Sequence, residues 1–339
     1  MEKRRVGRPK KVKTTPPSVE KFKKNPIIKP SPKNTWESKA TFNPGAVEKD
    51  GKVHLVYRAI GDDDTSVLGY ASSNDGLNIH ERLSKPIYFQ KNNSGNPISY
   101  QIPYSSGGGW NGGCEDPRLT IIDDVVYLLY TAFDGWGSLR IALTSIGLGD
   151  FLNKKWHWKK PVLISPPGEI HKNWVLFPEK INGQFAILHS ISPKILINYF
   201  DNLDEFQDDE YVKTYYGKVI RKKGWDNWMR GAAAPPIKTK YGWLLLYHAM
   251  TSKDPNKYKL GAMILDKKNP TKILYRSKKP ILEPKECYEN EGFKQGVVYC
   301  CGAVVKDKQL FIYYGGADKV ACVATADLDS FLKELAKNV

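Results

Sequence analysis

A unit of two neighbouring strands recurs five times between residues 53 and 325. Each copy is an apolar strand that ends in aromatic and polar residues, followed by a loop and a second strand rich in small residues. Because copies begin roughly 55 to 75 residues apart, each has room for a four-stranded sheet, and five such sheets can be arranged radially. The sequence therefore predicts an all-β fold, a five-bladed β-propeller. The five copies are Val53–Ala59 with Leu68–Ser72, Val126–Ala132 with Leu139–Leu143, Phe185–Ser190 with Ile195–Tyr199, Trp243–Ala249 with Leu260–Leu265, and Leu310–Gly316 with Ala321–Thr325.

Equivalent positions in the five copies carry polar residues. In a propeller, equivalent strand ends meet at the same mouth of the central channel. The residues at this position are Arg58, Thr131, His189, His248 and Gly315. An arginine and two histidines that converge on one point indicate a polar pocket on the axis rather than an apolar core.

Positive charge is concentrated at the N-terminus. Residues 1–24 hold ten of the 52 Lys and Arg residues but only two acidic ones, in a chain whose net charge is +16. Residues 5–11 resemble an AT-hook, a Gly-Arg-Pro core with basic flanks that binds the A·T minor groove. Two hypotheses follow: a weak nucleic-acid contact through residues 3–13, or a solvated tail that binds polyanions non-specifically. We predict a disordered basic tail over 1–24 and a catalytic domain over 25–339.

Composition limits the remaining function classes. The chain is 41% hydrophobic, and its longest apolar stretches are too short to cross a bilayer. No apolar segment of a secretory signal follows the basic start, and the five cysteines have no Cys-x-x-Cys spacing. The sequence therefore predicts a cytoplasmic protein with no membrane contact and no metal site.

A glycine-rich stretch, Gly107–Gly113, leads to Glu115-Asp116-Pro117-Arg118. Glycines allow the backbone to approach a ligand closely, and proline fixes the local φ angle, so the carboxylates and the arginine share a defined turn. Paired carboxylates with aromatic neighbours are typical of glycoside chemistry. The alternative is a solvated acidic turn in which Arg118 is the counter-ion.

An ordered set of motifs from about Lys24 to the C-terminus resembles glycoside hydrolase family 130. The resemblance implies a five-bladed propeller that acts on β-mannosides, in most members as an inverting phosphorylase and in some as an inverting hydrolase. The motifs are Asn43-Pro44-Gly45-Ala46, Tyr57-Arg58-Ala59, residues 69–76, Glu115-Asp116-Pro117-Arg118, Lys172-Asn173, residues 176–183, Ala234-Pro235-Pro236-Ile237, Tyr247-His248 and residues 313–318.

The resemblance also implies roles for individual residues. Asp116 is the expected general acid, with its proton reaching the glycosidic oxygen through a mannose hydroxyl while phosphate attacks from the opposite ring face to give α-mannose 1-phosphate. Inorganic phosphate is the co-substrate, and no other cofactor is predicted. The expected phosphate ligands are Arg58, Arg118, Arg140, Lys172, Tyr247 and His248. The expected sugar contacts are Asn43, Asp75, Glu115, His189 and Asp318, with Tyr104, Trp110 or Trp136 as an aromatic floor.

Two competing hypotheses remain at this level. An inverting β-mannosidase would need a base opposite Asp116, for which Glu179 and Glu291 are candidates. A non-catalytic propeller could instead bind a glycan or an anion, with the basic tail attached to nucleic acid. The sequence leaves open the linkage (β-1,2 or β-1,4), the acceptor sugar and the oligomeric state.

Overall fold

The computed structural model describes residues 17–90, 112–133, 139–204, 206, 210–214 and 224–337. Regular structure in these residues is almost entirely β-strand, with two α-helices, α1 (Leu148–Leu152) and α2 (Leu328–Ala336), and two 3-10 helices, Thr35–Glu37 and Cys287–Glu289. The strands are β1 (Glu20–Lys21), β2 (Ala40–Lys49), β3 (Lys52–Ile60), β4 (Ser66–Ser73), β5 (Glu81–Arg82), β6 (Gly113–Ile122), β7 (Val125–Phe133), β8 (Leu139–Gly147), β9 (Val162–Leu163), β10 (Val175–Leu176), β11 (Phe185–Ser190), β12 (Leu196–Phe200), β13 (Trp228–Ala232), β14 (Ile237–Thr239), β15 (Gly242–Thr251), β16 (Asp254–Leu265), β17 (Ile273–Arg276), β18 (Val298–Lys306), β19 (Gln309–Gly316) and β20 (Val320–Asp327).

The strands pair in chain order as successive antiparallel meanders. Meander 1 is β2 to β5, meander 2 is β6 to β9, meander 3 is β10 to β12, meander 4 is β13 to β17 and meander 5 is β18 to β20. Meanders 1 and 2 are linked by a parallel pairing between Ser66 and Gly113. Each of the five strand pairs predicted from the repeat is an antiparallel pair within one of these meanders, so that prediction is confirmed.

The N-terminal strand extends meander 5. Glu20 pairs with Thr325 and Lys21 with Ala324, so β1 adds to the edge of meander 5. The tail boundary predicted at residue 24 is therefore wrong, because residues 20 and 21 already form part of a sheet. Residues 3–13, to which the nucleic-acid contact was assigned, lie outside the described residues.

Apolar side chains form cores between successive meanders. Leu128 and Tyr70 belong to the core between meanders 1 and 2, and comparable cores lie between 2 and 3, 3 and 4, and 4 and 5. A further core joins Leu55 of meander 1 to Val323 of meander 5. Because strand residues alternate between faces, each sheet can contribute apolar side chains to both neighbours.

The first strands of the meanders contact each other directly. A Cβ on Gly45 of β2 would lie 2.5 Å from the carbonyl oxygen of Pro117 in β6, and one on Gly302 of β18 would lie 2.4 Å from the amide of Ala46. At one end of these strands, residues from all five meanders line a cavity of about 250 Å³. The polar cluster described below lies at the opposite end. Among the described residues, no helix has the length and hydrophobicity needed to cross a membrane.

Candidate active site

Two bulged strands place the central carboxylate. The pairing register shifts between Phe42 and Gly45 in β2 and between Glu115 and Arg118 in β6. Asn43 and Asp116 lie inside these bulges with φ angles of 49° and 53°, each directly before a proline. Asn and Asp tolerate this left-handed backbone better than most residues, and a bulge redirects side chains. As a result, the Nδ2 group of Asn43 donates a hydrogen bond of 2.7 Å to Oδ1 of Asp116.

Cations surround the two buried carboxylates. Arg58 places one guanidinium nitrogen 3.0 Å from Oε1 of Glu115 and another 3.5 Å from Oδ1 of Asp116. Lys172 Nζ lies 3.0 Å from Oε2 of Glu115. Burial by itself would raise the pKa of Asp116, but the charges of Arg58, Lys172 and Arg118 outweigh burial and hold it at about 2. Asp116 is therefore ionised at neutral pH when no ligand is bound.

Arg118 of β6 connects its own strand to the segments that follow β13 and precede β10. Its Nε donates to the carbonyl of Ala233 at 3.0 Å, and its two terminal nitrogens donate to the carbonyl of Asp116 at 2.8 Å and to Oδ1 of Asn173 at 2.7 Å. The hydroxyl of Tyr299 donates to the same Asn173 oxygen at 2.6 Å. The arginine is fully buried, so it fixes Asp116 and Asn173 relative to each other.

His248 is held as a neutral donor. The backbone N–H of Cys300 donates to its Nε2 at 3.0 Å, and the ring stacks on Tyr299 with centroids 4.1 Å apart. Burial, followed by the charge of Arg118, lowers the pKa of His248 to about 3. A neutral imidazole that accepts at Nε2 carries its proton on Nδ1. This Nδ1 is buried and has no hydrogen-bond partner among the described residues, so it can donate to a ligand.

A second carboxyl, Asp318, occupies the turn between β19 and β20 with a φ of 52°. The neighbouring strand can approach closely because residue 315 is glycine: a Cβ there would lie 2.0 Å from Oδ1 of Asn43. Burial raises the pKa of Asp318 to about 6, although Lys294 and Arg58 oppose the rise. The cluster thus combines an ionised carboxylate, a carboxyl that titrates near neutrality, fixed cations and an imidazole donor. Such a set can bind an oxyanion and transfer a proton beside it.

Comparison with known proteins identifies the family to which the chain belongs. The chain matches the family model for glycoside hydrolase family 130, described as beta-1,4-mannooligosaccharide phosphorylase, over residues 13–337. The chain belongs to glycoside hydrolase family 130. The predicted family is confirmed, and with it the prediction of an enzyme with mannoside phosphorylase activity.

Individual family 130 relatives are similar over nearly their whole length. A 1,2-beta-oligomannan phosphorylase of Thermoanaerobacter sp. (strain X514) is 38% identical, with 91% of this chain and 97% of that protein covered. A beta-1,2-mannobiose phosphorylase of the same organism is 35% identical over 89% and 95%. The structure of the Listeria innocua beta-1,2-mannobiose phosphorylase in complex with beta-1,2-mannobiose superposes with a TM-score of 0.70 at 27% identity, covering 94% and 99%.

The structure brings together most of the residues predicted for the family 130 site. These residues contact one another or interact electrostatically around Asp116: Asn43, Arg58, Glu115, Asp116, Arg118, Lys172, His248 and Asp318. Glu115 differs from its predicted role as a sugar contact, because the cations of Arg58 and Lys172 lie against its two oxygens. Its position indicates that it orients these two cations.

Two predicted site residues lie elsewhere. Tyr247 donates to Asp226 at 2.7 Å and packs in the core between meanders 3 and 4, because neighbouring strand residues face opposite sides and His248 faces the site. Asp75 is exposed and accepts hydrogen bonds within its own turn, from Ser73, Leu77 and Asn78. Ser73 pairs with Val53, five residues before Arg58 and about 17 Å away along β3. The phosphate role of Tyr247 and the sugar role of Asp75 are therefore corrected.

Arg140 and His189 lie on meanders 2 and 3 with other partners. Arg140 donates to the carbonyls of Ser165 and Leu163 at 2.8 and 3.1 Å. His189 forms hydrogen bonds through Nδ1 with Oγ1 of Thr214 at 2.7 Å and through Nε2 with Oδ1 of Asn198 at 2.8 Å. Their ligand roles stay predictions. Tyr104, Trp110 and Trp136 lie outside the described residues.

The two candidate bases of a hydrolase are also placed. Glu179 pairs with Lys238 at 2.5 Å, and the residue before it, Pro178, lines the cavity at the far end of the strands. Glu291 is exposed in the loop before β18.

Sequence reasoning missed Asn173, Tyr299 and Lys294 as members of the cluster. Asn173 was recognised only as part of a motif, although its neighbour Lys172 was chosen. A signal existed for Tyr299, since it lies directly opposite Gly315 at the start of the fifth unit. Lys294 lies in a loop without any repeat pattern, and only the folded chain brings it near Asp318.

Proposed function

We propose that this enzyme is an inverting phosphorylase of β-1,2-linked mannosides. It transfers the terminal mannosyl group to inorganic phosphate and releases α-mannose 1-phosphate and the shortened sugar. The observation that carries the proposal is the position of Asp116, which forms an ion pair with Arg58 and lies within the electrostatic influence of Lys172. One group can supply a proton where the others hold an oxyanion. The relatives at 38% and 35% identity, both named for β-1,2 substrates, support this linkage over the β-1,4 linkage named in the family model.

Phosphate binding explains how a carboxylate with a pKa of about 2 becomes an acid. A phosphate dianion beside Arg58 and Lys172 offsets the cations that keep Asp116 ionised, and its own charge disfavours a second anion nearby. The pKa of Asp116 therefore rises when phosphate binds, and the carboxylate takes up a proton from solvent. The proton then passes to the glycosidic oxygen, the bond to the anomeric carbon breaks, and a phosphate oxygen bonds to that carbon from the opposite face.

The remaining polar groups have complementary tasks in this proposal. The Nδ1–H of His248 donates to a phosphate oxygen or a sugar hydroxyl. Asn43 orients Asp116, and Asp318 accepts hydrogen bonds from mannose hydroxyls. Arg118 holds Asp116 and Asn173 in place and does not itself bind phosphate.

We further infer that the five meanders are blades arranged around one axis. Cores between successive meanders, including the core between meanders 5 and 1, support this arrangement. Closure of meander 5 by β1 supports it as well, since a strand from one terminus then completes the sheet of the other. Residues from five meanders around the far-end cavity are what an axial channel would give.

The test is the dependence of turnover on phosphate. β-1,2-Mannobiose and β-1,4-mannobiose are each incubated with the enzyme, with and without inorganic phosphate, and the products are identified by NMR. We expect α-mannose 1-phosphate from the β-1,2 substrate only when phosphate is present, and kcat/KM at least about tenfold lower for the β-1,4 substrate. Equal release of free mannose with and without phosphate would contradict phosphorolysis.

A further inference from the structure

Ser66 is the first residue of β4, and its side chain lies on the same face of the sheet as Arg58. The register pairs Arg58 of β3 with Leu68 of β4, so Ser66 lies diagonally across from the arginine, within reach of a long side chain. Ser66 is fully buried, and its Oγ accepts a hydrogen bond of 3.0 Å from Nε of Arg58. The hydroxyl therefore holds the nitrogen nearest the stem of the arginine, while the two terminal nitrogens lie toward Glu115 and Asp116.

An aromatic ring covers one face of the same guanidinium. Phe42 of β2 pairs directly with Arg58, and its ring centroid lies 4.8 Å from the central guanidinium carbon. A stacked ring restricts motion toward or away from it, but it does not set the orientation of the guanidinium within its own plane. Hydrogen bonds to two separate nitrogens do set this orientation, because each is directional. Ser66 and Glu115 supply these two bonds.

Ser66 also joins the strand of the cation to the strand of the acid. Its backbone N–H donates to the carbonyl of Gly112 at 2.9 Å, and it pairs in parallel with Gly113 of β6. The approach is close, since a Cβ on Gly113 would lie 2.1 Å from the carbonyl oxygen of Ser66. Gly113 lies three residues before Asp116. One residue thus contacts Arg58 through its side chain and the strand of Asp116 through its backbone.

We propose that Ser66 is a positioning residue for phosphate binding: its hydroxyl holds the guanidinium of Arg58 in the orientation in which the terminal nitrogens meet both Asp116 and the phosphate oxygens. The assignment rests on the proposed function and deepens it, because it names the residue that orients the phosphate-binding arginine before phosphate arrives. Such preorganisation favours binding, since the arginine then has little side-chain freedom left to lose. Ser66 acts through Arg58 and does not itself contact phosphate.

The first test is the variant Ser66→Ala, which removes the hydroxyl and keeps the backbone contacts with β6. We expect KM for phosphate to rise about tenfold, because a hydrogen bond to a charged group is lost. KM for β-1,2-mannobiose and kcat should each change less than about threefold. Steady-state kinetics in which each substrate is varied in turn give the three values. Equal changes in all three, or an unchanged KM for phosphate, would overturn the assignment.

Ser277→Ala is the matched control. Ser277 is also buried, and its Oγ accepts a hydrogen bond of 3.1 Å from the backbone N–H of Ala262 in meander 4. This variant loses the same group from a buried position, and we expect KM for phosphate to stay as in the wild type. A rise as large as that of Ser66→Ala would show a general loosening of the fold and would count against a role for Ser66 in positioning.

A second experiment asks whether Ser66 acts through Arg58. Ser66→Ala is combined with Arg58→Lys, since a lysine has a methylene where arginine has Nε. Calorimetric titration with inorganic phosphate gives Kd for the wild type, both single variants and the double variant. Ser66→Ala should raise Kd about tenfold in the wild-type background and less than about twofold in the Arg58→Lys background. Losses that simply add would overturn the assignment.

The calorimetric series also separates this assignment from the proposed function. Absence of phosphate-dependent turnover in the wild type would contradict the proposed function, and the four phosphate affinities would still decide the role of Ser66. A wild-type enzyme that turns over mannobiose with phosphate and is unaffected by Ser66→Ala would support the function and overturn the role of Ser66. Absence of phosphate binding to the wild type would overturn both.

Discussion

Two buried aspartates of the active site have the same backbone conformation and opposite electrostatics. Asp116 and Asp318 both adopt left-handed φ angles, 53° in the bulge of β6 and 52° in the turn between β19 and β20. Burial raises the pKa of both. For Asp116 the cations of Arg58, Lys172 and Arg118 outweigh burial and bring the pKa to about 2, whereas for Asp318 burial prevails and the pKa is about 6.

The difference between the two aspartates shows how the site divides its work. The cations that lie against Glu115 and Asp116 already carry the charge needed to bind an oxyanion. Asp318 lies on the side where Lys294 is the principal cation, and the negative charge of Asp116 disfavours its ionisation. Two residues of the same type therefore differ in pKa because their charged neighbours differ. These neighbours suit Asp116 to the proposed role of an acid that phosphate activates, and Asp318 to the proposed role of a sugar ligand.

The largest expected effect comes from exchanging each carboxyl for an amide. Asp116→Asn removes the proton donor, so kcat for phosphorolysis should fall by about 10²–10⁴-fold. Asp318→Asn keeps the shape but loses a charged acceptor, so KM for the mannoside should rise about tenfold with a smaller change in kcat. Steady-state kinetics at saturating phosphate measure both. Similar losses of kcat in the two variants would remove the distinction drawn between these residues.

An intermediate effect is expected on stability and its pH dependence. Asp318 has a pKa near 6 in the folded protein against 3.8 as a reference, so the folded state holds a proton that the unfolded chain releases between pH 4 and 6. The free energy of unfolding contributed by Asp318 therefore decreases as pH rises through this window. Asp318→Asn removes the penalty and should raise the free energy of unfolding by up to about 3 kcal/mol at pH 8, with little change near pH 4.

Urea unfolding of wild type and Asp318→Asn at the two pH values is the measurement. For Asp116 the sign is reversed, since a lowered pKa adds stability above pH 4 that is lost as pH falls toward 2. A gain in Asp318→Asn of equal size at both pH values would indicate better packing rather than the loss of a buried charge.

The smallest effect concerns a third buried aspartate, Asp226, which lies away from the site and serves as a reference. It accepts a hydrogen bond of 2.7 Å from Tyr247 and lies 3.4 Å from the guanidinium of Arg276. Tyr247→Phe should lower the free energy of unfolding by about 1 kcal/mol and leave KM for phosphate unchanged. Thermal unfolding and phosphate titration measure the two quantities, and a clear rise in KM for phosphate would restore Tyr247 to the site.

The repeat predicted the strands well because alternation and turn residues are local properties. Every central strand pair lies where the pattern places it, and Arg58 and His248 face the site as the alignment of units expects. The family resemblance misplaced Tyr247, which is one residue away from His248. A period of two sends neighbours to opposite faces, so an error of one residue exchanges a ligand for a core residue.

The repeat pattern could not predict the two β-bulges. Asn43 and Asp116 both precede proline, but the change of register that turns their side chains toward each other depends on pairing with β3 and β7. The same is true of Asn173 and Lys294, which reach the cluster from a short connection and a loop. The motif resemblance selected Asp75 and Glu115 as sugar contacts. A motif specifies which residue types occur along the chain, but it does not specify which side chains they contact in the fold.

The chain itself determined the strand order, the family and the inventory of charged groups, because these follow from side-chain alternation and from motifs within a few residues. Only the tertiary structure decided which carboxyl stays ionised, which histidine nitrogen donates and which loop borders the site. The reason is physical: a pKa or a free donor depends on burial and on charges within a few ångströms, and those neighbours come from separate segments of the chain, as Arg58 and Asp116 do.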